Sequence, residues 1–134
     1  MLRISKLADY ATLIMLHIAG MTCAKSAAQV AEATGISLPT TRKVMKLLHK
    51  HGLLTSQRGA SGGYGLGHQP SQVSLGAIIE SIEGPLAITS CCQNDTSCEL
   101  QSHCDTKPHW QAINQQLNQT LTRTTLADML SARK

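Results

Sequence analysis

The sequence predicts a mainly α fold carrying one small β-hairpin. Three observations lead there. Apolar residues recur with a helical period through the first fifty residues, and a glycine-rich turn separates two short β-leaning runs near residue 60. After Pro108, a narrow apolar seam runs along an otherwise polar segment.

From about Ser5 to Gly20, Leu7, Tyr10, Ala11, Ile14, Leu16 and Ile18 fall on a helical face, with Ser5 placed to cap its start. A second, short helix is expected from about Ser26 to Thr34, burying Ala27, Val30 and Ala31 and stopping at Gly35. Ser37 then caps a third helix, whose first turn holds Pro39, where a missing N–H costs little. Val44, Leu47 and Leu48 form its inward stripe, and Thr40, Thr41, Arg42, Lys43, Lys46 and Lys50 occupy the other faces. Two short helices joined by a tight glycine turn, the second basic outside, describe a helix-turn-helix.

Leu53-Leu54-Thr55-Ser56 leans toward a strand, Arg58-Gly59-Ala60-Ser61-Gly62-Gly63 supplies a turn, and Tyr64-Gly65-Leu66 returns. A hairpin directly after such a helix is a wing. The glycine run is no phosphate loop, because no Gly-Lys-Ser/Thr follows it and no dinucleotide fingerprint fits. Ser74 to Glu83 reads as a further helix with Leu75, Ile78, Ile79 and Ile82 inward, ended by Gly84-Pro85. Residues 86–107 keep no period and hold the cysteines, so a loop is expected. Beyond it Trp110, Ile113, Leu117 and Leu121 recur at steps of three, four and four among Gln and Asn. One seam that narrow suits pairing with a partner helix, hence a homodimer. Thr125 and Asp128 resemble a capping pair opening a last short helix with Leu126, Met129 and Leu130. The expected organisation is a DNA-binding domain over residues 1–85, a cysteine loop over 86–107, and a dimerisation helix with its short follower over 108–134.

At 134 residues and 42% hydrophobic, the chain can bury one core, and with only Tyr10, Tyr64 and Trp110 as aromatics that core must be aliphatic. No apolar run reaches the roughly 18 to 20 residues that span a bilayer, and the opening Met1–Lys6 lacks a cleavage pattern, so a cytoplasmic protein with no membrane partner is expected. Residues 1–68 hold eight cations against two acids, a balance of +6, whereas the remainder stands at −2. A basic front half suits a polyanion, although charge alone is equally consistent with solubility.

Double-stranded DNA is the polyanion this pattern fits. Lysine and arginine neutralise phosphates and give affinity without sequence information, while base edges are read from the start of the third helix. The candidates there are Thr40, Thr41, Arg42 and Lys43, with Lys46 and Lys50 on phosphates and Arg58 of the wing on a phosphate or the minor groove. The plainer alternative is a solvated helix face.

Four of the five cysteines crowd between Cys91 and Cys104. Cys92, Cys98 and Cys104 follow a Cys-x5-Cys-x5-Cys spacing, wider than the pairs of zinc sites or ferredoxin-type runs. Such a loop can wrap a polynuclear cluster. A thiol–disulfide switch and an incidental cysteine group remain as alternatives. Three thiols leave a cluster one ligand short of four. Cys91, His103, His109 and Asp9 are the residues able to complete it. Cys23 reads as a small buried hydrophobe. No nucleophile–base arrangement or paired carboxylates stand out, so no enzyme is expected.

Taken together, these residues resemble the IscR/NsrR-type bacterial winged-helix regulators, the Rrf family. The likeness covers nearly the whole chain. It rests on Arg3-Ile4-Ser5-Lys6 with Asp9-Tyr10-Ala11, on Ile36-Ser37-Leu38 and on Gly52-Leu53-Leu54. The wing Arg58–Leu66, the run Ile78-Ile79-Glu80 with Glu83-Gly84-Pro85, and the three-cysteine loop complete it. Pro108–Asn114 and Leu126-Ala127-Asp128-Met129 look most like the branch regulating SUF-type iron–sulfur assembly genes. The resemblance implies a homodimer crossed by its long helices, a palindromic operator, and an iron–sulfur cluster on Cys92, Cys98 and Cys104, [2Fe-2S] favoured over [4Fe-4S]. Relatives of the first kind carry a histidine three positions after the last cysteine. Lys107 stands there instead. Relatives of the second kind use an aspartate of the first helix across the dimer, and Asp9 holds that place. A cluster-free thiol switch and an iron–sulfur electron carrier are the rival functions.

Overall fold

The computed structural model describes residues 2–59, 62–93, 98–100 and 102–133. Ala60 and Ser61 of the expected wing turn, and positions 94–97 of the expected cysteine loop, lie outside them. The architecture is mainly α with one two-stranded antiparallel hairpin, as the sequence predicts.

Helix α1 (Lys6–Ala19) starts at Ser5, whose hydroxyl accepts from the Ala8 N–H at 3.1 Å. It buries Ala8, Ala11, Ile14, Met15 and Ile18, while Leu7, Tyr10 and Leu16 are half-buried at its margin. Helix α2 (Ala27–Thr34) opens on a reciprocal box between Ser26 and Gln29 and ends at Gly35, whose φ of 78° is left-handed. Helix α3 (Leu38–Lys50) packs on both. Ser37 sits at its N-cap position, but its hydroxyl donates to Thr40 Oγ1 at 2.9 Å instead of capping a backbone N–H. The buried stripe of α3 is Thr41, Val44, Met45 and Leu48, with Leu47 only half-buried. A 3.6-residue period explains the substitution: positions i, i+3, i+4 and i+7 from Thr41 share one face.

Strands β1 (Leu54–Gln57) and β2 (Gly63–Leu66) pair antiparallel, Leu54 opposite Leu66 and Gln57 opposite Gly63. The hairpin is pinned at its far edge by Lys25. Its N–H donates to the Tyr64 carbonyl at 3.0 Å, and the Tyr64 N–H returns a bond at 2.7 Å. Gly63 is required at that contact. Its φ is +146°, and a Cβ there would collide with the Lys25 carbonyl.

Helix α4 (Leu75–Glu83) is capped by Ser74 and stops at Gly84, with φ of 81°. It buries Ile78 and Ile79 against α1. Helix α5 (Lys107–Arg123) then leads into α6 (Leu126–Ser131), opened by the Thr125–Asp128 box. The break between them pairs back on the start of α4. The Leu75 N–H donates to the Thr124 carbonyl at 2.8 Å and the Leu126 N–H to the Val73 carbonyl at 2.9 Å. Leu126 is fully buried in the cluster that holds Ile14, Val30, Val44 and Leu48. Leu126 of α6 thereby joins the core built by residues 1–85. Among the described residues no helix is long and apolar enough to cross a membrane.

Candidate nucleic-acid interface and cysteine site

Because α3 turns Thr41, Val44, Met45 and Leu48 inward, its cationic residues are left outward. Arg42, Lys43, Lys46 and Lys50 are exposed, and together with Pro39 and Leu47 they line one shallow surface depression. Thr40 is half-buried at the first turn. Thr41 is a correction to the sequence reading. It has no exposed surface, and its hydroxyl lies 3.5 Å from the Ile36 carbonyl, so it is a core residue with no route to a base edge. Its place on the 41–44–45–48 face was the available signal.

Arg58 is exposed immediately after β1, at the root of the wing. Two residues that the sequence reading left without a role position that wing. The His49 ring of α3 meets the Tyr64 ring of β2 edge-on, centroids 5.9 Å apart at 76°, while Lys25 grips the same strand through its backbone. The wing thus meets α3 through an aromatic contact and the segment ahead of α2 through a strand bridge. A tyrosine framed by Gly63 and Gly65 was the only hint in the sequence.

The cysteines occupy the segment between α4 and α5. Cys91 and Cys92 sit on a 3-10 turn over Ser90–Cys92, both half-buried, with the Thr89 hydroxyl 3.1 Å from the first sulfur and 3.2 Å from the second. Cys98 is half-buried, and Cys104 lies 3.3 Å from Thr106 Oγ1 just ahead of α5. Hydrogen bonds from the Thr106 hydroxyl and backbone hold the Cys104 thiol below its ordinary value, against opposing pushes from burial and from Asp105. All five cysteines are free. Cys23 is exposed and not the buried small hydrophobe that its sequence context suggested.

As a donor set, free thiols at 92, 98 and 104 suit an iron–sulfur cluster. Among the described residues, however, no three of His, Cys, Asp or Glu are gathered around one point. The residues named for the fourth ligand are dispersed as well. Cys91 adjoins Cys92, and His103 and His109 are exposed. Asp9 lines a separate groove of about 1100 Å³ with Lys6, Leu75, Glu83, Leu121 and Met129. There Glu83 Oε1 accepts from the Ser5 N–H at 3.2 Å.

The faces of α5 are the reverse of the usual pattern. Trp110, Ile113 and Leu117 of the seam are 41%, 48% and 40% exposed, whereas Leu121, the fourth, is half-buried against Gly76 of α4. The inward side is built of carboxamides. Asn114 is the buried residue of this helix, and its Oδ1 accepts from the Ile88 N–H at 2.9 Å. Asn118 Nδ2 donates to the Leu86 carbonyl at 3.4 Å and Gln111 Nε2 to the Cys91 carbonyl at 3.5 Å. Asn118 Oδ1 is buried without a partner among the described residues, a deficit of about 1–3 kcal/mol. Beside these amides a groove of about 710 Å³ opens, lined by Cys91, Cys92 and Lys107 at one end and Arg123 at the other.

A family model described as Rrf2, iron-dependent transcriptional regulator, matches residues 4–132, which is nearly the whole chain. The chain belongs to the Rrf2 family. The HTH-type transcriptional regulator IscR of Sodalis glossinidius is 33% identical over 104 residues, covering 78% of this chain and 62% of the relative. The matched part thus spans about three-fifths of the length of that curated relative. Among solved structures, CymR, the global cysteine regulator of B. subtilis, superposes with a TM-score of 0.80 at 29% identity over all of both chains. T. potens IscR follows at 0.78 and 31%, covering 99% of this chain and 89% of that one. These relatives carry the names of regulators, and the Rrf2 winged helix is the fold of this chain.

Proposed function

We propose that this Rrf2 family member is a DNA-binding transcriptional regulator that acts as a homodimer on double-stranded operator DNA. It would report iron–sulfur or redox status through its cysteine loop. The observation that carries the reading is the exposed cationic face of α3, where Arg42, Lys43, Lys46 and Lys50 lie together beside the Arg58-bearing wing. In this reading Thr40, Arg42 and Lys43 reach base edges, Lys46 and Lys50 neutralise phosphates, and Arg58 enters the minor groove or meets the backbone. Exposure of Trp110, Ile113 and Leu117 on one stripe supports pairing with a second copy, with Leu121 closing the inner end.

Cys92, Cys98 and Cys104 would hold an iron–sulfur cluster, [2Fe-2S] ahead of [4Fe-4S], with Asp9 of a second subunit, Cys91, His103 or His109 as the fourth donor. Bound there, it would supply a group whose presence and charge respond to iron and oxidants. The thiols themselves contribute soft anionic ligands, with Cys104 already biased toward its thiolate. A change in the loop would alter the spacing of the two α3 helices and so operator affinity. Repression of SUF-type iron–sulfur assembly genes when clusters are plentiful is the output this implies. Anaerobic purification with iron and sulfide counts tests it. About two or four of each per monomer, lost in Cys98→Ala, is expected. A protein that stays iron-free after reconstitution would end the cluster reading.

A second reading is favoured by the free thiols of the loop and by Cys104, whose contact with Thr106 holds it below an ordinary thiol. Two of the loop thiols would join as a disulfide. A peroxide would take their two electrons and two protons and leave as two waters. A colourless protein whose duplex binding changes with peroxide and reverses with thiols would select this reading.

A further inference from the structure

The carboxamides on the inward side of α5 form a ladder that neither the DNA face nor the thiols account for. Going down the helix, Asn118, Asn114 and Gln111 meet Leu86, Ile88 and Cys91 in turn, so the segment entering the cysteine turn runs antiparallel to α5. The Leu86 carbonyl and the Ile88 N–H both face the helix, since each meets one of its carboxamides. The Asn114 bond is the middle and shortest of the three contacts, at 2.9 Å.

We propose that Asn114 is a positioning residue for the cysteine loop, fixing the register in which Cys91 and Cys92 lie on the seam helix. This deepens the sensing role proposed above and rests on it for its purpose, though not for its geometry. Three features support it. Asn114 is 8% exposed, so water does not compete for its Oδ1. Its partner is 26 residues away in sequence, so the bond ties two elements and not one turn. Its helix neighbours Ile113 and Trp110 belong to the exposed apolar stripe, so the helix that anchors the loop also carries the surface offered to a second copy. An apolar residue at 114 would have filled the same space without fixing a register.

The test uses iron-free, fully reduced full-length protein, and reads alkylation of Cys91 and Cys92 by iodoacetamide with Cys23 as internal control. Asn114→Leu is expected to speed both loop thiols roughly fivefold, the fold-change of one net hydrogen bond, and to leave Cys23 unchanged. Asn114→Asp, which keeps an acceptor oxygen, is expected to restore the wild-type rates. Equal rates in all three proteins, or equal acceleration in both variants, would overturn the proposal. Should Asn114→Leu not fold, hydrogen exchange of the Ile88 amide in the unaltered protein decides. Slow exchange is expected, and exchange at the unprotected rate overturns it. Because the measurements are made without iron, a failure of the cluster reading shows separately in the iron count.

Discussion

The Cys104 sulfur lies 3.3 Å from the hydroxyl oxygen of Thr106, and that contact gives the last loop cysteine a different acidity from an ordinary thiol. The hydroxyl and backbone of Thr106 favour the thiolate, so the folded value is depressed and the reactive anion persists to lower pH. The pH profile of Cys104 alkylation, followed by mass spectrometry, should move to higher pH in Thr106→Val. Asp105→Asn, which removes an opposing negative charge, should move it lower. An unchanged profile in both variants would show that the threonine contact does not set the reactivity.

The basic face of α3 and the buried threonine beside it make opposite predictions. Lys46→Ala should weaken duplex binding for every sequence alike and flatten its salt dependence by about one unit of slope. Thr41→Val should leave duplex binding untouched, because that side chain is enclosed behind the helix. Fluorescence anisotropy across a salt series distinguishes them. Loss of sequence preference in Thr41→Val would return that residue to the DNA surface.

Glycines of the wing should differ sharply. Gly63→Ala forces a side chain onto the Lys25 carbonyl at a φ of +146°, whereas nothing stands within 4 Å of a Cβ on Gly65. The first change should lower Tm, at a cost of about 1–3 kcal/mol, and weaken duplex binding by loosening the wing. Gly65→Ala should change neither by much. Thermal melts with binding on the same samples check the pair.

Leu126→Ala should cost about 2–5 kcal/mol, the loss typical of a truncated core leucine. Urea unfolding should remain a single transition, since Leu126 shares one cluster with Ile14 and Leu48. Two separate transitions would mean that the C-terminal segment is independent of the N-terminal core.

Most of the fold was legible because its signals are local. Ser5, Ser26, Ser74 and Thr125 cap their helices through hydrogen bonds that reach three residues, and Gly35 and Gly84 stop theirs by adopting positive φ. Thr41 was misread because a β-branched hydroxyl counts as polar in a pattern, although its methyl packs and its hydroxyl can bond a nearby carbonyl. Asn114 and Asn118 were hidden more deeply. Their partners are backbone atoms 26 and 32 residues away, which no periodicity can announce. The cysteines illustrate a third limit. Spacing named the thiols but could not say how they are arranged, and among the described residues no three of the possible ligands meet.

The most direct measurement compares duplex affinity of one protein sample in two states of its loop. Iron-reconstituted protein would first select its duplex from a random pool. Binding would then be measured before and after removal of iron by a chelator with alkylation of the exposed thiols. A coupled sensor should change its affinity by about 5- to 150-fold, with Lys46→Ala weakening both states by the same factor. Identical affinities in the two states, for a protein shown to have carried iron, would contradict a link between the cysteine loop and the DNA face.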